Sequence, residues 1–261
     1  MVTEPFHLLT FDDYGDAIGR AATVLRANAA AAPLEATVPA CPEWTVFDLV
    51  THVGMVHRWA TDHLRGRGGG DPAAHETEGR EAGDLLGWFD TGATALLQAL
   101  VDAPDDLDAL VFLRDAPPAP VFWARRQAHE TTIHAVDALG ARLGRTPAPE
   151  ETWIRTPLAL DGVDELLSGF VPRGRRQAVH APAPTTLLVR PDAATVAWHV
   201  TLSPDEPAVT RRVDVSIDSL PEADRVLTGH AVEVYLSLWN RTDGAGAHED
   251  WWREVMKVTW A

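Results

Sequence analysis

Apolar residues recur at helical spacing in four segments of the first 150 positions. These segments are residues 11–31, 46–64, 80–101 and 121–143. In the first of them, Ile18, Ala21 and Leu25 fall on one face, as the 3.6-residue repeat of an amphipathic helix requires. A glycine run at 66–70 and a proline-rich stretch at 116–120 separate the segments. Four helices of this length, joined by loops, favour a four-helix bundle.

The start of the second helix carries a sharper local signal. Pro39, Pro42 and Trp44 mark an ordered loop in front of it. Thr45 is followed three residues later by Asp48, which fits a capping box. In that motif the hydroxyl accepts from an early backbone N–H and the carboxylate reaches back to the cap. The helix is therefore expected to begin at residue 46.

The pattern changes after Pro149. The predicted elements are, in order, a helix at 161–170, strands at 185–190, 195–202 and 208–217, and helices at 223–240 and 249–257. In the second strand, Val196, Trp198 and Val200 alternate with smaller or polar neighbours, which is typical of a half-buried strand. We therefore predict an α+β chain, with a four-helix bundle in residues 1–150 and a smaller α+β domain in 151–261.

Composition and charge narrow the class of protein. The 38 acidic and 22 basic residues give a formal charge of -16, which disfavours binding to nucleic acid or to an anionic membrane surface. No apolar run approaches the roughly 20 residues that span a bilayer. Residues 1–10 lack a basic segment followed by an apolar core, and Cys41 is the single cysteine, so neither secretion nor an internal disulfide is expected. We expect a cytoplasmic protein, monomeric or homodimeric.

Candidate metal ligands appear in the fourth predicted helix. Glu130 and His134 are four residues apart, and so lie about 40° apart around the helix axis. Both side chains therefore project from one patch. A carboxylate and an imidazole are competent zinc ligands, and a third ligand from a neighbouring helix would complete an open catalytic site.

The second predicted helix offers two histidines for that third position. His52 and His57 are about 140° apart, so both cannot easily face one metal. His52 shares its face with Trp59, which indicates that it points inward, whereas His57 falls on a more polar side. His129 lies about 140° from His134 and is the weaker candidate on the fourth helix. Spacing alone leaves a second interpretation open, that of a solvated helix face and a core histidine.

Several segments resemble a known family. They are VPACPEWT and DLVTHV within 38–53, FWARRQAHE and HAVD within 122–137, DGVDELL at 161–167 and LWNR at 238–241. In this order they resemble the actinobacterial maleylpyruvate isomerase family of mycothiol-dependent enzymes. The resemblance implies a DinB-like four-helix bundle followed by a domain similar to sterol-carrier proteins. It also implies zinc ligands at positions that match His52, Glu130 and His134.

Three protein ligands would leave a coordination position for water or substrate. A metal-bound thiol is deprotonated near neutral pH, and the thiolate is the nucleophile of sulfur chemistry. Cys41 is poorly placed to supply that thiol and is interpreted as a small buried residue. The family resemblance implies mycothiol as a small thiol cosubstrate and zinc, or another divalent metal, as cofactor. It implies either cis–trans isomerisation of a maleylpyruvate-like, anionic substrate or thiol S-transfer.

Four further residues are candidates for the site. Asp137 could orient His134 as a hydrogen-bond acceptor, and Arg126, one turn before Glu130, could hold an anionic substrate or thiol. Surface charges are the alternative explanation for both. Arg241 resembles the family's C-terminal arginine, which is implied to help bind acidic substrate and thiol. The tryptophans at helical positions, including Trp44, are interpreted as core residues, although Trp59 is a candidate to line the pocket.

Two other classes of function remain open at this point. A hydrolase could use the same metal to activate water, since an open site accepts either nucleophile. A non-catalytic binding protein could keep the metal for stability and hold an apolar ligand in its C-terminal domain. A structural zinc site usually has four protein ligands, so a three-ligand set disfavours a purely structural role.

Overall fold

The computed structural model describes residues 9–113, 115–173, 179, 181–192, 194–215, 220–243 and 247–256. The chain divides into two compact units. One, here called the helical unit, contains Thr10–Phe112 and Ala116–Thr152. The other, here called the mixed unit, contains Met1–Leu9, Leu113–Asp115 and Trp153–Ala261. Helices in the first and helices with a four-stranded sheet in the second confirm the predicted α+β class.

Five α-helices, one hairpin and a 3-10 turn at Pro149–Glu151 form the helical unit. The α-helices and strands are α1 (Phe11–Ala30), β1 (Thr37–Val38), β2 (Cys41–Thr45), α2 (Val46–Leu64), α3 (Pro72–Arg80), α4 (Leu85–Asp102) and α5 (Ala119–Leu143). The four long helices α1, α2, α4 and α5 confirm the predicted bundle helices, with ends that differ by a few residues.

Three details of the helical unit differ from the prediction. The loop around Pro39 is a two-stranded antiparallel hairpin, and the short helix α3 was not predicted. The predicted helix at 80–101 begins only at Leu85, because the Asp84 side chain accepts from the backbone N–H of Gly87 and caps it there. Arg80 is instead the last residue of α3, which Asp71 caps.

Side-chain caps explain the sharp starts of α1 and α2. Thr10 with Asp13, and Thr45 with Asp48, form complete capping boxes in which each hydroxyl accepts from the third backbone N–H. Each such cap contributes about 1 kcal/mol. The helix α5 ends at Gly144, whose φ of 70° lies in the left-handed region that glycine adopts without strain.

Helix α5 lies in the core of the helical unit, and 22 of its 25 residues are buried. It packs against α1, α2 and α4. Because every side of the helix is covered, its polar residues are buried together with its apolar ones. Buried polar groups require partners, so α5 must carry its own hydrogen-bonding network. That network contains the candidate site.

The mixed unit combines helices with one sheet. Its elements are α6 (Thr156–Asp164), a π-helical continuation at Glu165–Phe170, β3 (Thr185–Pro191), β4 (Val196–Leu202), β5 (Val209–Asp214), β6 (Arg225–Gly229), α7 (Ala231–Leu238) and α8 (Ala247–Val255). The strand order is β5-β4-β3-β6, with β3 and β6 parallel and the other pairs antiparallel. The predicted positions 216, 217 and 257 lie outside the described residues.

The prediction of one helix over 223–240 is wrong in its first part. Residues Arg225–Gly229 form β6, and only Ala231–Leu238 is helical. The side chain of Asp224 accepts from the backbone N–H and the hydroxyl of Thr186, both at 2.8 Å, which fixes β6 beside β3. Strand pairing over this distance in sequence overrides the local preference.

A buried carboxylate lies at the centre of the mixed unit. Asp164 accepts from Trp198 Nε1 at 2.9 Å, from the Arg212 guanidinium at 2.5 and 2.6 Å, and from the Ser168 hydroxyl at 3.0 Å. These contacts join α6 to β4 and β5 under the sheet. Among the described residues, no helix is both long and apolar enough to cross a membrane.

Candidate metal centre

The fold brings together the three side chains predicted as metal ligands. His52 projects from α2, and Glu130 and His134 project from adjacent turns of α5. Glu130 Oε1 lies 3.3 Å from His52 Nε2 and 3.2 Å from His134 Nε2. One donor atom from each residue lies within 4.8 Å of the other two, the one such group of histidine, cysteine or acidic residues found in the described part of the chain.

These spacings suit a small divalent cation. Metal–ligand bonds of about 2.0–2.1 Å place neighbouring ligands of a tetrahedral zinc site roughly 3.3–3.4 Å apart. The two distances from Glu130 Oε1 are close to that value and longer than the usual hydrogen bond of about 2.9 Å. Two imidazole nitrogens and one carboxylate oxygen also form the donor set of many catalytic zinc sites. His52, Glu130 and His134 therefore fit a zinc ion or a similar divalent cation.

Two charged side chains orient the two residues on α5. Arg126 donates to Glu130 Oε2 at 2.9 Å, and both side chains are buried. His134 Nδ1 lies 2.9 Å from Asp137 Oδ2, which leaves Nε2 of the same ring directed at Glu130. A carboxylate on the far nitrogen is the usual partner of a metal-bound histidine, because it fixes the tautomer and helps to orient the ring.

The carboxylates of the site stabilise positive charge on the groups beside them. Burial by itself would raise the pKa of Glu130, but hydrogen bonds from His134 and His52 and the charge of Arg126 hold it well below its usual value. Burial likewise opposes protonation of His134, yet hydrogen bonds with Asp137 and Glu130 raise the pKa of that imidazole to about 9. Carboxylates that stabilise an imidazolium in this way would equally stabilise a divalent cation in the same place.

His52 differs from His134 in its environment. Burial lowers the pKa of His52, against the opposing effect of its hydrogen bond to Glu130. It is also the most accessible of the three side chains, with 13% of its surface exposed. A neutral imidazole with an exposed edge is the form that binds a metal entering from solvent.

His57 is not in the ligand set, and the polar surroundings expected for its side chain are not found. Its side chain is completely buried, whereas the sequence suggested a more polar side of the helix. The reason is that α4 and α5 cover α2 on two sides. His57 Nε2 lies 2.9 Å from the hydroxyl of Thr131, and burial lowers its pKa to about 3.

The structure places Trp59 in a separate aromatic cluster. Its ring centroid lies 5.1 Å from those of His63 and Trp123 and 6.0 Å from that of Phe112. Arg241 belongs to the mixed unit, where its side chain donates to the backbone carbonyl of Trp239 at 2.7 Å. The roles predicted for Trp59 and Arg241 stay predictions.

Sequence reasoning missed Trp44, which it assigned to the core. The indole is only partly buried and lies against the candidate ligands. Its ring centroid is 4.7 Å from that of His52 and 5.7 Å from that of His134. The available signal was its position directly before Thr45, the cap of the helix that carries His52.

Two family profiles and two solved structures are similar to this chain. The family profile described as the mycothiol maleylpyruvate isomerase N-terminal domain matches residues 15–139, and the corresponding C-terminal profile matches residues 157–254. No curated protein matches the sequence. Two crystal structures of mycothiol-dependent maleylpyruvate isomerase, one of them a mutant, are similar in fold. Each superposition has a TM-score of 0.58 and covers 90% of this chain and 90% of the solved chain. The sequence identity is 13% for the mutant and 14% for the other structure.

Fold and site thus define a class: a two-unit α+β protein with a candidate His/Glu/His metal centre in its helical bundle. The two profiles together span most of the chain in the order in which its two units occur. The chain belongs to the mycothiol-dependent maleylpyruvate isomerase family, as the sequence resemblance predicted.

Proposed function

We propose that this protein is a metal-dependent enzyme that activates mycothiol for cis–trans isomerisation of a maleylpyruvate-like substrate or for thiol S-transfer. The observation that carries the proposal is the convergence of His52, Glu130 and His134 at spacings suited to zinc. Family membership supports the identity of the thiol and the type of reaction. The name of the similar solved structures supports maleylpyruvate as the substrate to test first.

The three donors would hold zinc or another divalent metal. A metal bound there would lower the pKa of a coordinated thiol, so that the thiolate forms near neutral pH. Arg126 would keep the carboxylate of Glu130 in its coordinating orientation through the contact to Oε2. Asp137 would hold His134 through Nδ1 and increase the electron density at Nε2.

The isomerisation proceeds without net consumption of the thiol. The thiolate sulfur adds to one carbon of the cis double bond, and the electron pair moves into the conjugated carbonyl group. The resulting carbon–carbon single bond rotates, and re-formation of the double bond expels the thiolate to give the trans isomer. An S-transferase would instead stop after sulfur–carbon bond formation, with a proton from solvent taken up at the neighbouring carbon or, in a substitution, with departure of the leaving group of the electrophile. Arg241 is proposed to bind an acidic group of substrate or thiol, as the family resemblance implies.

The hydrolase alternative receives less support from the contacts of the site. A hydrolase requires a carboxylate or histidine free to remove a proton from water. Of the described carboxylates in contact with the ligand set, Glu130 is held by Arg126 and both histidines, and Asp137 is held by His134. An external thiol needs no such base, since coordination itself favours the thiolate.

The proposal is tested first by metal analysis of the purified protein. We expect about one divalent metal ion per chain, and conversion of maleylpyruvate to its trans isomer only when mycothiol is present. Conversion at an equal rate without the thiol would contradict a thiol mechanism. Conversion of neither maleylpyruvate nor an electrophilic S-transfer substrate, with metal bound, would favour the binding-protein alternative.

The ligand assignment is tested with His52→Ala. Removal of one of three ligands should reduce bound metal to near zero and activity to background, because a two-ligand site holds zinc weakly. His75→Ala is a matched control: this imidazole is paired with Asp62 at 2.9 Å on the α2–α3 face and is not in the ligand set. Unchanged metal stoichiometry in the His52 variant would show that the assignment is wrong.

A further inference from the structure

Three aromatic rings form a closed triangle at the candidate metal centre. The centroid of Trp44 is 4.7 Å from that of His52 and 5.7 Å from that of His134, and the two imidazole centroids are 5.1 Å apart. The indole is nearly parallel to the His134 ring, at 27°, and tilted by 49° to the His52 ring. Trp44 therefore contacts both histidine ligands, which come from different helices.

The backbone holds Trp44 firmly in this position. It is the next-to-last residue of β2, directly before the Thr45 cap of α2. The cap closes through Asp48, whose carboxylate accepts from the backbone and the hydroxyl of Thr45 at 3.0 and 2.6 Å. Asp48 is also bound by Arg80 at 3.1 Å, so a cap and an ion pair both restrict this turn.

The contacts on the imidazole rings suggest what Trp44 does. Asp137 fixes one nitrogen of His134 but does not by itself determine the tilt of the ring. Stacking of the indole on the ring face supplies that second constraint. Offset and tilted aromatic pairs are favourable beyond the area they bury, so the contact opposes rotation of the ring. A core role alone would not require a partly exposed indole between two ligands.

We infer that Trp44 is a positioning residue for the metal centre, which holds the rings of His52 and His134 in the orientation that binds a divalent cation. The inference rests on the proposed function, since it assumes that these histidines are ligands. It goes further in assigning to the β1–β2 hairpin a part in the metal site. Loss of the indole should weaken metal binding while the three ligands remain in place.

Cobalt binding provides a test that does not depend on catalytic activity. Full-length metal-free protein is titrated with Co²⁺, whose visible absorption reports coordination geometry, in wild type, Trp44→Phe, Trp44→Leu and Trp44→Ala. Partners of metal ligands typically change affinity about 10–100-fold. We expect about a 10-fold weaker affinity and altered cobalt bands in the Leu and Ala variants, with Phe close to wild type.

Trp44→Leu removes the ring but retains more apolar volume than Trp44→Ala, so it remains informative if Trp44→Ala does not fold. Phe47→Leu is the control, because Phe47 belongs to the same hairpin–helix junction and its ring faces Arg80. Lower thermal stability of Trp44→Leu with unchanged cobalt affinity and spectrum would overturn the inference. Absence of cobalt binding by the wild type would instead overturn the proposed metal site itself.

Discussion

Each unit of this protein has a buried carboxylate that a network of donors surrounds, and the two networks differ in kind. Glu130 in the helical unit contacts His52, His134 and Arg126. Asp164 in the mixed unit accepts from one indole, one guanidinium and one hydroxyl. Both carboxylates lie in helices and both are almost completely buried.

The chemistry of the donors decides what each network can do. Guanidinium and indole N–H groups have no lone pair to offer a metal, so the partners of Asp164 can neutralise it but cannot share a cation with it. An imidazole can lose its proton and coordinate through the same nitrogen that had faced the carboxylate. A buried acid is therefore a candidate metal site only when its partners are themselves ligands. The contacts around Asp164 fit a structural role in joining α6 to the sheet.

Substitution of Glu130 and of Asp164 should give the largest difference in metal content between the two networks. Glu130→Gln removes a charged ligand, so we expect metal content near zero and activity at background, because neutral amide oxygens bind zinc poorly. Asp164→Asn should leave metal content unchanged and lower the free energy of unfolding by about 1–3 kcal/mol. Metal analysis and denaturant titration measure the two effects. Loss of metal in both variants would mean that the two networks are coupled.

Substitution of the two arginines should show how the stability cost of losing an ion pair depends on the burial of the arginine. Arg126 is buried, and Arg126→Met would remove the guanidinium from Glu130 Oε2, at a cost of about 3–5 kcal/mol in the metal-free protein. Half of the Arg212 side chain is exposed although Asp164 is buried, so water can reach the carboxylate after Arg212→Met, and the cost should be smaller, about 1–3 kcal/mol.

Thermal unfolding with and without Zn²⁺ sharpens the arginine comparison. A bound cation would replace part of the charge of Arg126, so the metal should stabilise Arg126→Met more than wild type. For Arg212→Met we expect the same metal-induced increase in Tm as in wild type. An equal increase in all three proteins would show that Arg126 and the metal do not act on the same carboxylate.

Substitution of the outer partners should give the smallest effects. Asp137→Asn keeps a hydrogen-bond acceptor on His134 but removes its charge, so we expect metal affinity to fall about 10-fold with little change in fold stability. Ser168→Ala removes one of several donors to Asp164, at about 1 kcal/mol, with no change in metal affinity. Competition titration with a chelating dye measures the affinity. An unchanged value for Asp137→Asn would show that the contact of this carboxylate with His134 does not support metal binding.

Local sequence signals predicted much of the helical unit. The second helix begins at Val46 as expected, because the Thr45–Asp48 box satisfies its first N–H groups within a few residues. The helix repeat alone placed Glu130 and His134 on one patch, and in the structure Glu130 Oε1 does contact His134 Nε2. The mixed unit was less predictable, since β6 depends on pairing with β3 across a long separation in sequence.

The sequence by itself determined the long helices, the α+β class and, through helical periodicity and family resemblance, the three candidate ligands. Only the tertiary structure decided which other groups meet them. It placed Trp44 on both imidazoles, and it buried His57 between helices. The reason is physical: caps and periodicity act within a few residues, whereas these contacts depend on how separate helices and a hairpin pack, which local spacing does not encode.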